Sequence, residues 1–181
     1  MVEFVLLCVP TFIYVIVQSR GPHRTPRAVM ERAGVSWGAP SAYGWALLLL
    51  LPLLLAGWLA IVLVPSDVLE MPGVAIARMT SVGAAVGVVL RAAGEEVFFR
   101  GLLGGVLVRR LGFGWGNPLQ ALLFLIPHLP LLLVDARMWP ILPVQFAAGW
   151  LLGWLRHKTD TFVPGAAVHA LANIAAGLLA A

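Results

Sequence analysis

Three short clusters of polar residues interrupt an otherwise apolar sequence, and their residue types suit hydrolysis. Glu95 and Glu96 are adjacent, His128 follows an apolar run, and His169 lies four residues before Asn173. An ionisable group at bilayer depth is costly unless it is paired or hydrated, so such groups are interpreted first as functional. A carboxylate can take a proton from water, a histidine can orient that water, and side-chain donors can stabilise the oxyanion that forms. The clusters therefore favour hydrolysis of an acyl bond.

The two glutamates are expected to play different roles. Neighbouring residues of an α-helix point about 100° apart, so Glu95 and Glu96 should not face the same spot. Glu96 precedes Arg100 by four residues, the favourable order for an ion pair on one helix face. We predict that Glu96 and Arg100 pair structurally and that Glu95 stays free as the base. Arg91, four residues before Glu95, is the alternative partner of Glu95.

The histidines are expected on different membrane segments. His169 and Asn173, four residues apart, should project from one face of the last helix. His128 lies between Pro127 and Pro130, and because proline interrupts helical hydrogen bonding, we predict that the helix kinks or breaks there.

The composition predicts that the elements carrying these groups are membrane helices. Charged residues make up 11% of the 181 residues and hydrophobic residues 61%, whereas soluble domains carry roughly 25% charged residues. A span takes about 20 residues, which leaves room for six or seven. We predict an all-α, polytopic transmembrane helical bundle forming a single domain over residues 1–181. Its apolar stretches are Val2 to Val17, Tyr43 to Val64, Val74 to about Val108, Asn117 to Val134, Met138 to Leu155, and Phe162 to Ala181.

The third stretch is longer than one span. Gly94 and the charges after it are predicted to divide the stretch into a spanning half and a second half that either crosses or is re-entrant.

The basic residues indicate topology and not nucleic-acid binding. The sequence pI is near 10.2, but most of the arginines lie in short loops after the first, third and fifth stretches, which the positive-inside rule places in the cytoplasm. Arg78 and Arg137 fall on the other side. Lys158 is the only lysine, and this arginine-rich, lysine-poor composition suggests a bacterial source and hence the inner membrane. The expected partners are the lipid bilayer and a peptide or protein substrate at the membrane.

The order of the motifs resembles the CPBP family of intramembrane proteases, which contains the CAAX prenyl proteases of the Ras-converting type and the bacterial Abi proteins. The resemblance covers about Ala84 to Ala176. The motifs that carry it are E-E-x-x-x-R (Glu95, Glu96, Arg100), F-x-x-x-H (Phe124, His128) and H-x-x-x-N (His169, Asn173).

The resemblance implies an endopeptidase that cuts a membrane-associated peptide, either a C-terminal segment or a leader. It implies that Glu95 is the general base together with His128. It also implies that His169 and Asn173 bind the oxyanion. The remaining motif residues would then hold the catalytic side chains in position; they are Glu96, Arg100 and Phe124. Arg91 is expected to have the same structural role.

The same residues suit three other functions. Two histidines and a carboxylate also suit zinc with an open position for water, and the ligands would be Glu95, His128 and His169. No H-E-x-x-H occurs, and an amide suits an oxyanion better than zinc, so a mechanism without metal or other cofactor is favoured. A transporter would normally show inverted repeats, which the sequence lacks. A non-catalytic binding or immunity scaffold is the third alternative.

Overall fold

A computed structural model describes residues 1–21, 24–71 and 81–179 of the chain. These residues form helices and turns and contain no strand, which confirms the all-α prediction. The numbered α-helices are α1 (Val2–Ser19), α2 (Pro26–Arg32), α3 (Pro40–Leu63), α4 (Ser66–Leu69), α5 (Val82–Glu95), α6 (Gly105–Leu125), α7 (Leu131–Val134), α8 (Ile141–Thr159) and α9 (Val163–Leu179). A π-helix (Glu96–Gly104) joins α5 to α6, and the 3-10 turns Ile126–His128 and Ala136–Met138 flank α7.

The long apolar helices agree with the predicted membrane stretches. Within the described residues, four segments are long and apolar enough to cross a bilayer, namely Val2–Ser19, Pro40–Leu63, Phe113–Val134 and Ala136–Thr159. Val163–Leu178 is a shorter apolar helix. The buried core of this bundle lies where α3, α8 and α9 meet, around Leu53, Leu152 and Val168.

Within the described residues the third apolar stretch is helical throughout, and it changes from α-helix to π-helix at Glu96, next to the predicted division at Gly94. The backbone stays helical at Glu96, with φ −66° and ψ −40°, and α5 runs directly into the π-helix and α6. At about 1.5 Å per residue, positions 82–111 extend roughly 45 Å, which is long enough to cross a bilayer, and this helix is called the third span. Gly94 also allows close packing, because a Cβ there would lie 3.2 Å from the Cα of Phe4 on α1. The start of this stretch and Arg78 lie outside the described residues.

The continuous helix ends in a tight turn inside α6. Gly112 has φ +72° and ψ 168°, a conformation that side chains disfavour, and the chain reverses there. The two arms of α6 then approach so closely that a Cβ on Gly116 would lie 2.6 Å from the backbone nitrogen of Val108. This turn separates the third span from the fourth.

The regular α-helix of the next span, Phe113–Val134, which is called the fourth span, ends at the predicted break. Its regular helix stops at Leu125, and a 3-10 turn carries Pro127 and His128. Proline has no N–H to continue the helical hydrogen bonds, which explains the change of structure. His128 stays close to Phe124 across this change, because its Nδ1 lies 2.9 Å from the Phe124 carbonyl oxygen.

The basic segments gather at one end of the bundle. Arg109, after the third span, donates a hydrogen bond to the Tyr14 hydroxyl at 3.1 Å. Arg156, at the end of α8, donates to the backbone oxygen of Arg32 at 3.1 Å. Arg137 lies near the start of α8, at its opposite end, and pairs with Asp67 at 2.9 Å. The loops that the charge pattern assigned to one side therefore meet in space.

Candidate active site

The π-helix carries the glutamate motif. In a π-helix each N–H bonds to the carbonyl five residues back, and such segments are rare and frequently mark functional sites. The segment starts at Glu96 and is anchored from outside, because the Thr11 hydroxyl of α1 donates to the Val97 carbonyl at 3.2 Å. Thr11 is buried. A neighbouring helix therefore holds the backbone directly beside the two glutamates.

Glu96 and Arg100 form a fully buried ion pair, as the sequence predicts. Arg100 Nη1 lies 3.0 Å from Glu96 Oε1, and neither side chain has any exposed surface. The guanidinium also lies over the Phe124 ring, 4.3 Å from its centroid. Removing two charges from water is costly unless they are well paired, so this pair and its aromatic neighbour form one interdependent unit.

His169 connects this unit to Glu95. Its Nδ1 lies 2.9 Å from Glu96 Oε1, and its Nε2 lies 3.7 Å from Glu95 Oε2. An ionised carboxylate can only accept, so Nδ1 carries a proton that it donates to Glu96. The ring is thereby oriented with Nε2 towards Glu95. The Glu95 side chain is 16% exposed and that of Glu96 fully buried, so Glu95 is the carboxylate that water can reach.

As expected, the two glutamates differ in their surroundings, since Glu96 is fully buried against Arg100 whereas Glu95 is partly exposed, but both also contact His169. Their side chains leave the helix in different directions, but one imidazole is wide enough to contact both. Each carboxylate meets one nitrogen of the His169 ring. Helical spacing alone does not reveal this arrangement, because it depends on a partner from α9.

His128 approaches the same cluster from the broken end of the fourth span. Its Nδ1 lies 2.9 Å from the Phe124 carbonyl oxygen, which only accepts, so Nδ1 is the protonated nitrogen. In the neutral ring, Nε2 then carries the free lone pair. The Phe124 ring lies 5.1 Å from that of His128 and 6.3 Å from that of His169, so it lies beside both histidines.

Comparison with known families agrees with this arrangement. The family model described as type II CAAX prenyl endopeptidase, Rce1-like, matches residues 77–175, which is more than half of the chain. The chain belongs to the Rce1-like CAAX endopeptidase family. No curated protein and no solved structure matches the chain. Together with its apolar helices, this membership identifies an integral membrane protein of a protease family, as the motif resemblance implied.

The Rce1-like match includes every predicted site residue, among them Asn173 and Arg91. Asn173 lies on α9 one turn after His169 and is half-buried. Arg91 does not approach Glu95, since its Nη2 pairs with Glu3 Oε2 of α1 at 2.7 Å on the exposed surface. The alternative interpretation of Glu95 as the partner of Arg91 is therefore wrong. Glu3 takes this role because Gly94 lets α1 pack closely against α5.

In the zinc alternative, the ligands would be Glu95, His128 and His169. Among residues 1–21, 24–71 and 81–179, no three His, Cys, Asp or Glu side chains converge closely enough to hold a metal ion. Glu96 accepts from Nδ1 of His169, and Nε2 of the same ring faces Glu95.

Sequence reasoning missed a polar pair behind the site. Asn117 and Gln120 are both buried, and their amides donate to the carbonyls of Trp150 and Gly149 on α8 at 3.1 and 2.8 Å. Gln120 also precedes Phe124 by one turn. The signal that could have revealed the pair is the G-x-x-x-G spacing of Gly149 and Gly153, which allows these amides to reach the α8 backbone.

Proposed function

We propose that this chain is an intramembrane endopeptidase that hydrolyses a peptide bond with a water molecule activated by Glu95. The observation that carries the proposal is the contact of Glu95 Oε2 with His169 Nε2 at 3.7 Å, made at the accessible edge of a buried Glu96 and Arg100 pair. Glu95 has the properties of a general base, because its carboxylate is partly accessible and lies at membrane depth among fixed hydrogen-bonding groups.

In the proposed reaction, Glu95 accepts a proton from water as the water oxygen attacks the scissile carbonyl carbon. The lone pair on His128 Nε2 orients that water. The attack gives a tetrahedral intermediate with a negative oxygen. Breakdown of the intermediate breaks the C–N bond, and Glu95 returns its proton to the leaving amine, which gives a carboxylic acid and an amine.

His169 and Asn173 are proposed to stabilise the negative oxygen. The Asn173 amide is a donor, and His169 Nε2 becomes a donor when the ring carries both protons. The positive ring would then be balanced by the carboxylate of Glu96, which accepts from Nδ1. Losing one oxyanion donor typically lowers kcat by about 10² to 10³.

Glu96 and Arg100 are proposed as positioning residues. Their pair is fully buried, so water and substrate reach neither side chain. Their role is to hold His169 at a fixed angle and to place Phe124 between the two histidines.

The proposed substrate is a membrane-associated peptide, since the family to which the chain belongs consists of CAAX endopeptidases. The arginine-rich composition supports a bacterial inner membrane as the location. Neither a metal nor nucleic acid has a part in the proposed reaction.

The test is cleavage of candidate membrane peptides by purified protein, with and without a strong chelator. We expect the cleavage rate to be unchanged by the chelator. In Glu95→Gln the rate should fall by a factor of about 10² to 10⁴, the range that general base catalysis contributes. Glu3→Gln is the matched control, because it removes an exposed carboxylate remote from the histidines. Activity lost on chelation and restored by zinc would overturn the metal-free mechanism. Full cleavage by a folded Glu95→Gln variant would overturn the role of Glu95, and peptide binding without cleavage by the native protein would favour a scaffold.

A further inference from the structure

A small cavity with several arginines around it lies away from the candidate active site, at the end of the bundle where the basic segments meet. Its volume is about 130 Å³, and it opens between α1 and α2. The residues that line it are Tyr14, Gln18, Arg24, Ala28, Val29 and Arg32.

A third guanidinium reaches the rim from another span. Arg109 donates through Nη2 at 3.1 Å to the hydroxyl of Tyr14, which lines the cavity together with Arg32. Arg24 donates to the Gln18 side chain on the same face of α1. Three positive groups from separate segments therefore converge on one cavity. Like charges repel each other, so their convergence favours a negative ligand between them.

The nearby acids do not neutralise this group. Among the described residues, Glu31 pairs with Arg27 at 3.0 Å on the exposed side of α2. Asp160 faces Arg156 at 3.9 Å. Arg24, Arg32 and Arg109 are exposed, so a ligand from the membrane surface can reach them.

We propose that this arginine cavity binds a phosphate group, and that its source is the head group of an anionic membrane lipid. The planar guanidinium group matches phosphate oxygens with paired donors. The Tyr14 hydroxyl, which accepts from Arg109, keeps its own proton to donate. Tyr14 lies near the end of a spanning helix, the level at which tyrosine meets the head groups. Basic pockets between spans on the cytoplasmic side are suited to such lipids.

The test uses the full chain in a neutral detergent and follows its Tm. Short-chain phosphatidylglycerol, short-chain phosphatidylcholine and inorganic phosphate are titrated at constant ionic strength. We expect phosphatidylglycerol to raise the Tm and phosphatidylcholine to have no effect. The apparent Kd for phosphatidylglycerol should rise about fivefold in each of the single variants Arg109→Gln and Arg32→Gln, which is the effect of about one arginine at a membrane surface.

Arg110→Gln is the matched control, since it removes the same charge from the next residue of the same helix, and its Kd should change less than the others. Tyr14→Phe keeps every charge and should still weaken binding, so the outcome does not depend on whether an arginine variant folds well. Equal Kd values for Arg109→Gln and Arg110→Gln, or an equal response to both lipids, would overturn the proposal. If inorganic phosphate raised the Tm at the same concentrations as phosphatidylglycerol, the phosphate site would be supported but the lipid would be overturned as its specific source.

Discussion

Glu96 holds the imidazole of His169 through a hydrogen bond of 2.9 Å between Oε1 and Nδ1, and both side chains are almost completely buried. The same carboxylate oxygen lies 3.0 Å from Arg100. One oxygen thus both orients the ring and balances a buried cation. The adjacent Glu95 meets the other ring nitrogen. In the proposed mechanism, the second glutamate of the motif therefore acts on the reaction through His169, without touching the substrate.

This relationship predicts that Glu96→Gln lowers kcat and leaves KM nearly unchanged. The amide still occupies the position, but it lacks the charge that favours Nδ1–H and a positive ring. Carboxylates that orient a metal-bound histidine contribute about 10- to 100-fold to affinity or activity, and we expect a fall of similar size for the same kind of contact here. The measurement is kcat and KM per folded molecule, with nitrogen NMR of the His169 tautomer. A normal tautomer with full kcat would show that Glu96 has a stability role alone.

The Glu96 and Arg100 pair should contribute far more to stability than an exposed pair with the same spacing. Arg100→Met leaves the Glu96 charge buried without its cationic partner and with only the His169 N–H bonded to it, which should cost about 3 to 5 kcal/mol of unfolding free energy. Combining it with Glu96→Gln should recover part of that loss. The measurement is the free energy of unfolding in a detergent titration for both single variants and the double variant.

The control for this cycle is the exposed pair of Arg27 and Glu31, also four residues apart, with side chains 87% and 52% exposed. Its coupling energy should be only about 0.3 to 0.5 kcal/mol. Equal coupling energies for the two pairs would contradict the importance of burial.

The sequence was sufficient for those features of the site that depend on local spacing. Glu96 and Arg100 are four apart and do pair, and Pro127 does end the regular helix before His128. Apolar length alone located the spanning helices. Each of these follows from short-range geometry or from the cost of placing polar groups in lipid.

The remaining features depend on contacts between distant segments. Nothing near Glu95 in the sequence shows that His169 reaches both carboxylates, or that Thr11 bonds the Val97 carbonyl. Nor does the sequence show that Gly94 lets α1 approach α5 closely. Such contacts are decided by which helices pack together, and one sequence carries little information on that choice.

The bond from Thr11 should stabilise the segment that carries the glutamates. Its hydroxyl donates to Val97 at 3.2 Å across 86 positions of sequence, and hydrogen bonds between membrane helices contribute about 0.6 kcal/mol on average and up to about 1.7. We expect Thr11→Val to lower the unfolding free energy by an amount in that range. Ser19→Ala is the control, since the Ser19 hydroxyl bonds only to Val15 of its own helix. Similar losses in both variants would argue against a specific tie between the helices.

The turn between the third and fourth spans predicts opposite outcomes at two glycines of the same helix. A Cβ on Gly116 would lie 2.6 Å from the Val108 nitrogen, and backbone cannot move aside as a side-chain tip can. Gly116→Ala should therefore cost about 1 to 3 kcal/mol or more, as expected for overpacking. At Gly114 a Cβ meets nothing within 4 Å, and alanine favours helix over glycine by up to about 1 kcal/mol. Gly114→Ala should thus leave the unfolding free energy equal or higher. If Gly116→Ala were as stable as Gly114→Ala, the two arms of α6 would not approach each other as closely as the structure shows. The position of Phe124 beside the two histidines would then have to depend on contacts other than this turn.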